Sequence, residues 1–147
     1  MVMTKRKLLK SIDPKRVEEA IRQAESMTSG EIRVTVARLF WGSVDKAAEK
    51  AFVRLGMTET DQRNGVFFFI VPSRHKFVVL GDKGIHEKVG QEFWNQIVAE
   101  MSDLFHAGDF TGGLVKGITH VGEQLAAHFP YDHPSDKNEL SNEIDFR

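Results

Sequence analysis

Apolar positions change their period along this chain, and each change marks an element. From Pro14 to Met27, Val17, Ala20, Ile21 and Ala24 recur every three or four residues, the spacing of one helix face. Asp13 before Pro14 is a start signal: a carboxylate accepts the free amides of a first turn, and proline fits the first helical position. Thr28, Ser29 and Gly30 stop that helix. Between Glu31 and Leu39 the period falls to two, with Ile32, Val34 and Val36 alternating with Arg33, Thr35 and Ala37, which predicts a strand buried on one face. A Ser43 cap opens a second helical stripe through Val44, Ala47, Ala48, Ala51, Phe52 and Leu55, ended by Gly56. Val66 to Val71 is a continuous apolar run, a strand whose two faces both need cover. Pro72 to His75 turn the chain into Lys76–Leu80, a hairpin. Two more helical patterns follow, one over Glu87–Phe105 ended by Gly108, one from about Thr111 to Phe129 closed by Pro130.

A strand, crossover helix and second strand favour parallel, right-handed pairing, and the hairpin adds an antiparallel neighbour. The expected fold class is therefore α/β: one domain over 13–130, with a mixed, mostly parallel sheet and helices on its faces. A fourth short strand has no recognisable place in the pattern. Residues 1–12, with Lys5, Arg6, Lys7 and Lys10, read as a basic arm. Residues 131–147 read as an acidic flexible tail, since 130–147 carry five acids against two bases.

Composition narrows function mainly by exclusion. The chain of 147 residues has 20 basic and 21 acidic side chains, a net charge of −1, which argues against an electrostatic grip on nucleic acid over the whole surface. With no cysteine, disulfides, thiolate zinc ligands, iron–sulfur clusters and a cysteine nucleophile are excluded. No apolar run is long enough for a signal peptide or a membrane span, so a cytoplasmic location without a transmembrane segment is expected. No phosphate-binding glycine loop, dinucleotide fingerprint, His-Glu-x-x-His helix or Gly-x-Ser-x-Gly elbow is present, and no organic cofactor is implied.

Topology then concentrates polar residues. A hairpin brings the start of one strand beside the end of the other, so Arg63 and Asn64 should approach Gly81 and Asp82. A parallel first strand adds Ser29, Gly30 and Glu31 at that end. Gly65, Gly81 and Gly84 would let backbone approach a ligand, and His86 follows closely. Such an end could hold a divalent cation with a phosphate-like anion. The same Asn64-Gly65 and Gly81-Asp82 pairs also serve as plain turns. Asp109 either caps the last helix or supplies a carboxylate. His106 suits a helix C-terminus, His120 and His128 suit surface or packing roles, and Trp41 and Trp94 suit anchors of a core or interface.

Three stretches in order resemble the TPM domain family: Arg63-Asn64-Gly65 leading into Val66–Val71, then Gly81-Asp82-Lys83-Gly84-Ile85-His86, then Phe105-His106-Ala107-Gly108-Asp109-Phe110 before Gly113-Leu114. The resemblance covers about Ile12 to Phe129 and implies an α/β/α sandwich. Members include thylakoid-lumen and bacterial envelope proteins, with acid phosphatase activity and divalent cation binding attributed to some. This chain resembles the short soluble bacterial branch, whose implied partner is a membrane protein of LemA type. It departs from the commoner pattern, which has Asp at the position of Arg63 and an aromatic residue at that of Asp82. Two functions follow as expectations. One is a ligand- or partner-binding domain serving membrane or envelope protein maintenance, with Asn64, Gly65, Gly81 and Gly84 at the ligand. The other is a metal-dependent acid phosphatase on phosphomonoesters, with Asp82 and Asp109 holding Ca2+ or Mg2+, Arg63 clamping phosphate and His86 as acid or base.

Overall fold

A computed structural model describes residues 11–131 and 142–147. Helix α1 (Pro14–Glu25) starts as predicted, with the Asp13 carboxylate accepting from the amides of Lys15 and Arg16. Strand β1 (Glu31–Val36) leads through a loop to α2 (Val44–Arg54), capped by Ser43. Strands β2 (Gly65–Val71) and β3 (Lys76–Gly81) form the hairpin, joined by a short 3-10 turn over Pro72–Arg74. Helices α3 (Lys83–His106) and α4 (Phe110–His128) follow, and a two-residue strand β4 (Asp145–Phe146) ends the chain.

The sheet order is β3-β2-β1-β4. β1 pairs parallel with β2 and with β4, and β2 pairs antiparallel with β3, so the sheet is mixed and mostly parallel as expected. Side-chain alternation divides the core into two. Ile32, Val34, Val36, Val66, Phe68 and Ile70 face α1, α3 and α4. Ala37, Phe67, Phe69 and Val71 face α2. Phe67 and Phe68 are both fully buried, one on each side, and each contributes about 2–3 kcal/mol of burial free energy.

Four differences from the sequence reading have physical causes. β1 is buried on both faces, not one: between flanking β2 and β4, Glu31 and Thr35 on its second face are as buried as Ile32 and Val34, and Thr35 donates to Asp145. Helix α3 begins at Lys83, because Asp82 caps it, and it is interrupted at Gly90, where φ is 77°. The missing fourth strand comes from the segment read as a flexible tail. Ile144 is buried, Asp145–Phe146 pair with β1 and Arg147 N donates to Val36 O, so this end joins the core and the sheet, while 132–141 lie outside the described residues. At the other terminus Ile12 is fully buried, which ends the basic arm short of it; residues 1–10 lie outside the described residues.

Candidate functional site

The polar end of the sheet is where β1 and β2 begin and β3 ends, with Glu31 opposite Gly65 and Val66 opposite Gly81. Asp82 is 6% exposed, and its amide donates to Gly65 O at 2.9 Å. Its carboxylate does two things at once. Oδ1 caps α3 by accepting from Lys83 N at 2.9 Å, and both oxygens accept from Arg63, Nε at 2.5 Å and Nη2 at 2.8 Å. This is the bidentate geometry that suits guanidinium best. Arg63 sits at a left-handed φ of 52°, and the adjacent carboxylate raises its pKa further above its ordinary range. Gly84 N donates to Arg63 O at 2.8 Å, so the loop is tied to the helix start by backbone and side chain together.

Asn64 is 1% exposed and links this loop to β1. Its amide donates to Thr60 Oγ1 and its Nδ2 to Ser29 Oγ, while Oδ1 is buried with no partner among the described residues. Gln62 Nε2 also donates to Ser29 Oγ. His86 lies one turn beyond Asp82 on an exposed face, and its Nδ1 accepts from Trp94 Nε1 at 3.0 Å. The three predicted glycines stand against other parts of the protein. A Cβ at Gly81 would come within 2.2 Å of the Trp94 ring, one at Gly84 within 2.2 Å of Gln62 O, and one at Gly65 within 3.0 Å of Met57 O.

The structure thus brings together Arg63, Asn64, Gly65, Gly81, Asp82, Gly84 and His86, and separates Asp109 from them. Asp109 caps α4, accepting from Gly112 N at 2.8 Å, at the far end of α3 from Asp82. Its neighbour Phe110 meets His75, which follows the end of β2. Asp82 and Asp109 therefore cannot share one ion. Asp82 alone does not fit a metal either, because a guanidinium already holds both of its oxygens and neutralises its charge. Among the described residues no three His, Asp or Glu side chains gather as a metal shell.

One feature of this end escaped the sequence reading. Glu25, in the last turn of α1, accepts from Ile32 N at 2.7 Å and hydrogen-bonds the side chain of Glu31, which is 1% exposed. Burial pushes the Glu25 carboxyl up to about 9, with the Glu31 charge and hydrogen bond adding to the rise and the Ile32 amide opposing it. Two carboxyl groups thus stand side by side where the first parallel strand begins, and burial favours the neutral form of Glu25. No motif spacing signals this pair, since its members belong to different elements.

A mixed sheet between helical layers, with its polar loops gathered at one strand end, defines an α/β/α sandwich domain. The chain belongs to the TPM domain family, matching the family model of the TPM domain over residues 2–124. The BA42 protein of the psychrophilic bacterium Bizionia argentinensis, solved by NMR, is 36% identical, with a TM-score of 0.85 over 95% of this chain and 94% of that one. The N-terminal domain of cg2496 from Corynebacterium glutamicum, also solved by solution NMR, is 12% identical, with a TM-score of 0.60 over 88% of this chain and 75% of that one; its likeness is one of fold. No curated protein matches the chain.

Proposed function

We propose that this chain is a non-catalytic binding domain of the TPM family, and that a divalent cation enters it at the Glu25–Glu31 pair. The carrying observation is the Arg63–Asp82 ion pair. Where a metal phosphatase needs a free carboxylate and an uncommitted phosphate clamp, these two groups neutralise each other. Glu25 and Glu31 instead set two buried carboxyl groups together, with the Glu25 carboxyl pushed up to about 9; a hard cation entering there would displace the Glu25 proton, and oxygen donors suit Ca2+ or Mg2+. The buried, unpartnered Oδ1 of Asn64 at the same sheet end is a further oxygen of the right kind. Family resemblance supports a membrane protein of LemA type as partner and a role in envelope-protein maintenance. Among the described residues no helix is long and apolar enough to cross a membrane.

Amide NMR with added Ca2+ tests the cation site on the full chain. The expected shifts fall on residues 25–32 and Asn64, vanish in Glu31→Gln and persist in Asp82→Asn. The same preparation should hydrolyse p-nitrophenyl phosphate no faster than Asp82→Asn. Chelator-sensitive turnover that disappears in Asp82→Asn would establish the phosphatase instead.

A further inference from the structure

At the opposite end of the sheet, where β1 and β2 finish, α2 is the single described helix over its face, and an open cleft of about 560 Å³ lies beside it. Ala37, Phe40, Ala47, Ala51 and Phe69 give it an apolar floor, while Arg38, Lys50, Arg54 and Arg147 surround it. We propose that this cleft binds a small amphipathic anion, an aliphatic or aryl body ending in a carboxylate or phosphate.

Charge, shape and place support that class of ligand. Four cationic side chains surround the cleft in a chain whose net charge is −1, and Asp145 is the acid set against them. Asp145 pairs with Arg54 at 3.5 Å and Arg147 at 3.1 Å. Neither Lys50 nor Arg38 has a side-chain carboxylate partner among the described residues; Arg38 donates only to Arg147 O. Even with a main-chain carboxylate at Arg147 set against it, the balance is positive. All four cationic side chains are exposed, so they can reach the head of an anion whose apolar body lies on the floor. An apolar cleft with a few convergent polar groups, of this volume, suits a small molecule. Open α/β sheets take ligands outside the carboxyl ends of their parallel strands, which is where this cleft opens.

The wall is also held in place. Arg74 Nη1 donates to the carbonyls of Phe40 and Gly42, and its guanidinium lies 5.5 Å from the centroid of the Phe40 ring. The neighbouring Trp41 is 90% exposed, so of the two anchor roles expected for it, core or interface, it does not fill the first. A tryptophan on the loop that walls the cleft gives binding a local reporter.

Decanoate below its micelle-forming concentration is the probe, followed by amide and indole NMR of the full chain. Saturable shifts should fall on residues 37–41, Lys50 and Arg54. Lys50→Glu should weaken binding about tenfold, the scale of one charge-assisted hydrogen bond lost, with the melting temperature unchanged. Ala47→Phe, which fills the floor without touching a charge, should abolish binding. Decanol should bind at least tenfold more weakly than decanoate, and inorganic phosphate should shift the cationic residues without saturating. Equal binding of decanol and decanoate, or insensitivity to both variants, would overturn the proposal. So would a response confined to vesicles of anionic phospholipid, because the surface would then recognise a bilayer and not a free anion.

Discussion

Arg63 carries two demands that rarely meet in one residue: a left-handed backbone and a bidentate grip on a nearly buried carboxylate. Its carbonyl also receives the amide of Gly84, and a Cβ there would come within 2.6 Å of that carbonyl oxygen and 2.2 Å of the one before it. Both obstacles are backbone, so Gly84→Ala should displace the start of α3 and cost about 1–3 kcal/mol in urea unfolding. An unchanged midpoint would show that the loop yields freely. The Glu25–Glu31 pair makes a prediction of opposite character, read through pH. The Glu25 pKa is raised to about 9, so the folded chain binds a proton that the unfolded chain releases in the ordinary carboxylate range. Stability from this group is therefore complete below that range and is lost as pH rises toward 9, with a slope of at most about 1.4 kcal/mol per pH unit. Glu25→Gln, which keeps the hydrogen-bonding shape without the titration, should flatten unfolding free energies measured between pH 5 and 9.

Among the elements, α3 shows how a pattern conceals a break. Ile97, Met101 and Phe105 bury one stripe of it, as helical spacing requires, yet at Gly90 the backbone leaves the helix with φ 77° and ψ 170°. No atom crowds that position, so any cost of a side chain there is conformational alone. Gly90→Ala should lose about 1–2 kcal/mol by thermal or urea unfolding. An increase in helical circular dichroism with no loss of stability would instead mean that the break is optional. Asp82 and Asp109 are the matching case for caps. Both were legible as turn or cap residues from their neighbours, but only the pairing of elements decides that one also holds an arginine and the other stands alone at the far end of α3.

Seen whole, the domain is closed by the segment that composition makes least promising. β4 is two residues long, yet it pairs with the central strand, and Ile144 enters the core beneath it, with its amide donating to Glu18. Ile144→Ala should lower unfolding free energy by about 2–4 kcal/mol, the cost of emptying a buried aliphatic site. Removal of residues 142–147 should cost more, since Thr35 and Val36 would lose their neighbours on that side. A melting temperature unchanged by either would restore the segment to the tail that its charge suggests.

Periodicity determined the helices and three strands, the hairpin, and through it the meeting of Arg63, Asn64 and Asp82 at one sheet end. Those follow from which side of a local element is apolar and from the short turn between β2 and β3, quantities written in neighbouring residues. The tertiary structure decided what the polar groups do. Arg63 neutralises Asp82, and burial beside Glu31 raises the Glu25 carboxyl across the end of a helix and the start of a strand. Asp109 is carried a helix length away, and the cationic side chains of a loop, a helix and the last residue converge on one apolar floor. Charge interactions depend on distance through space and on the water excluded between groups. Neither has a period along the chain, so only the folded arrangement of elements brings them about.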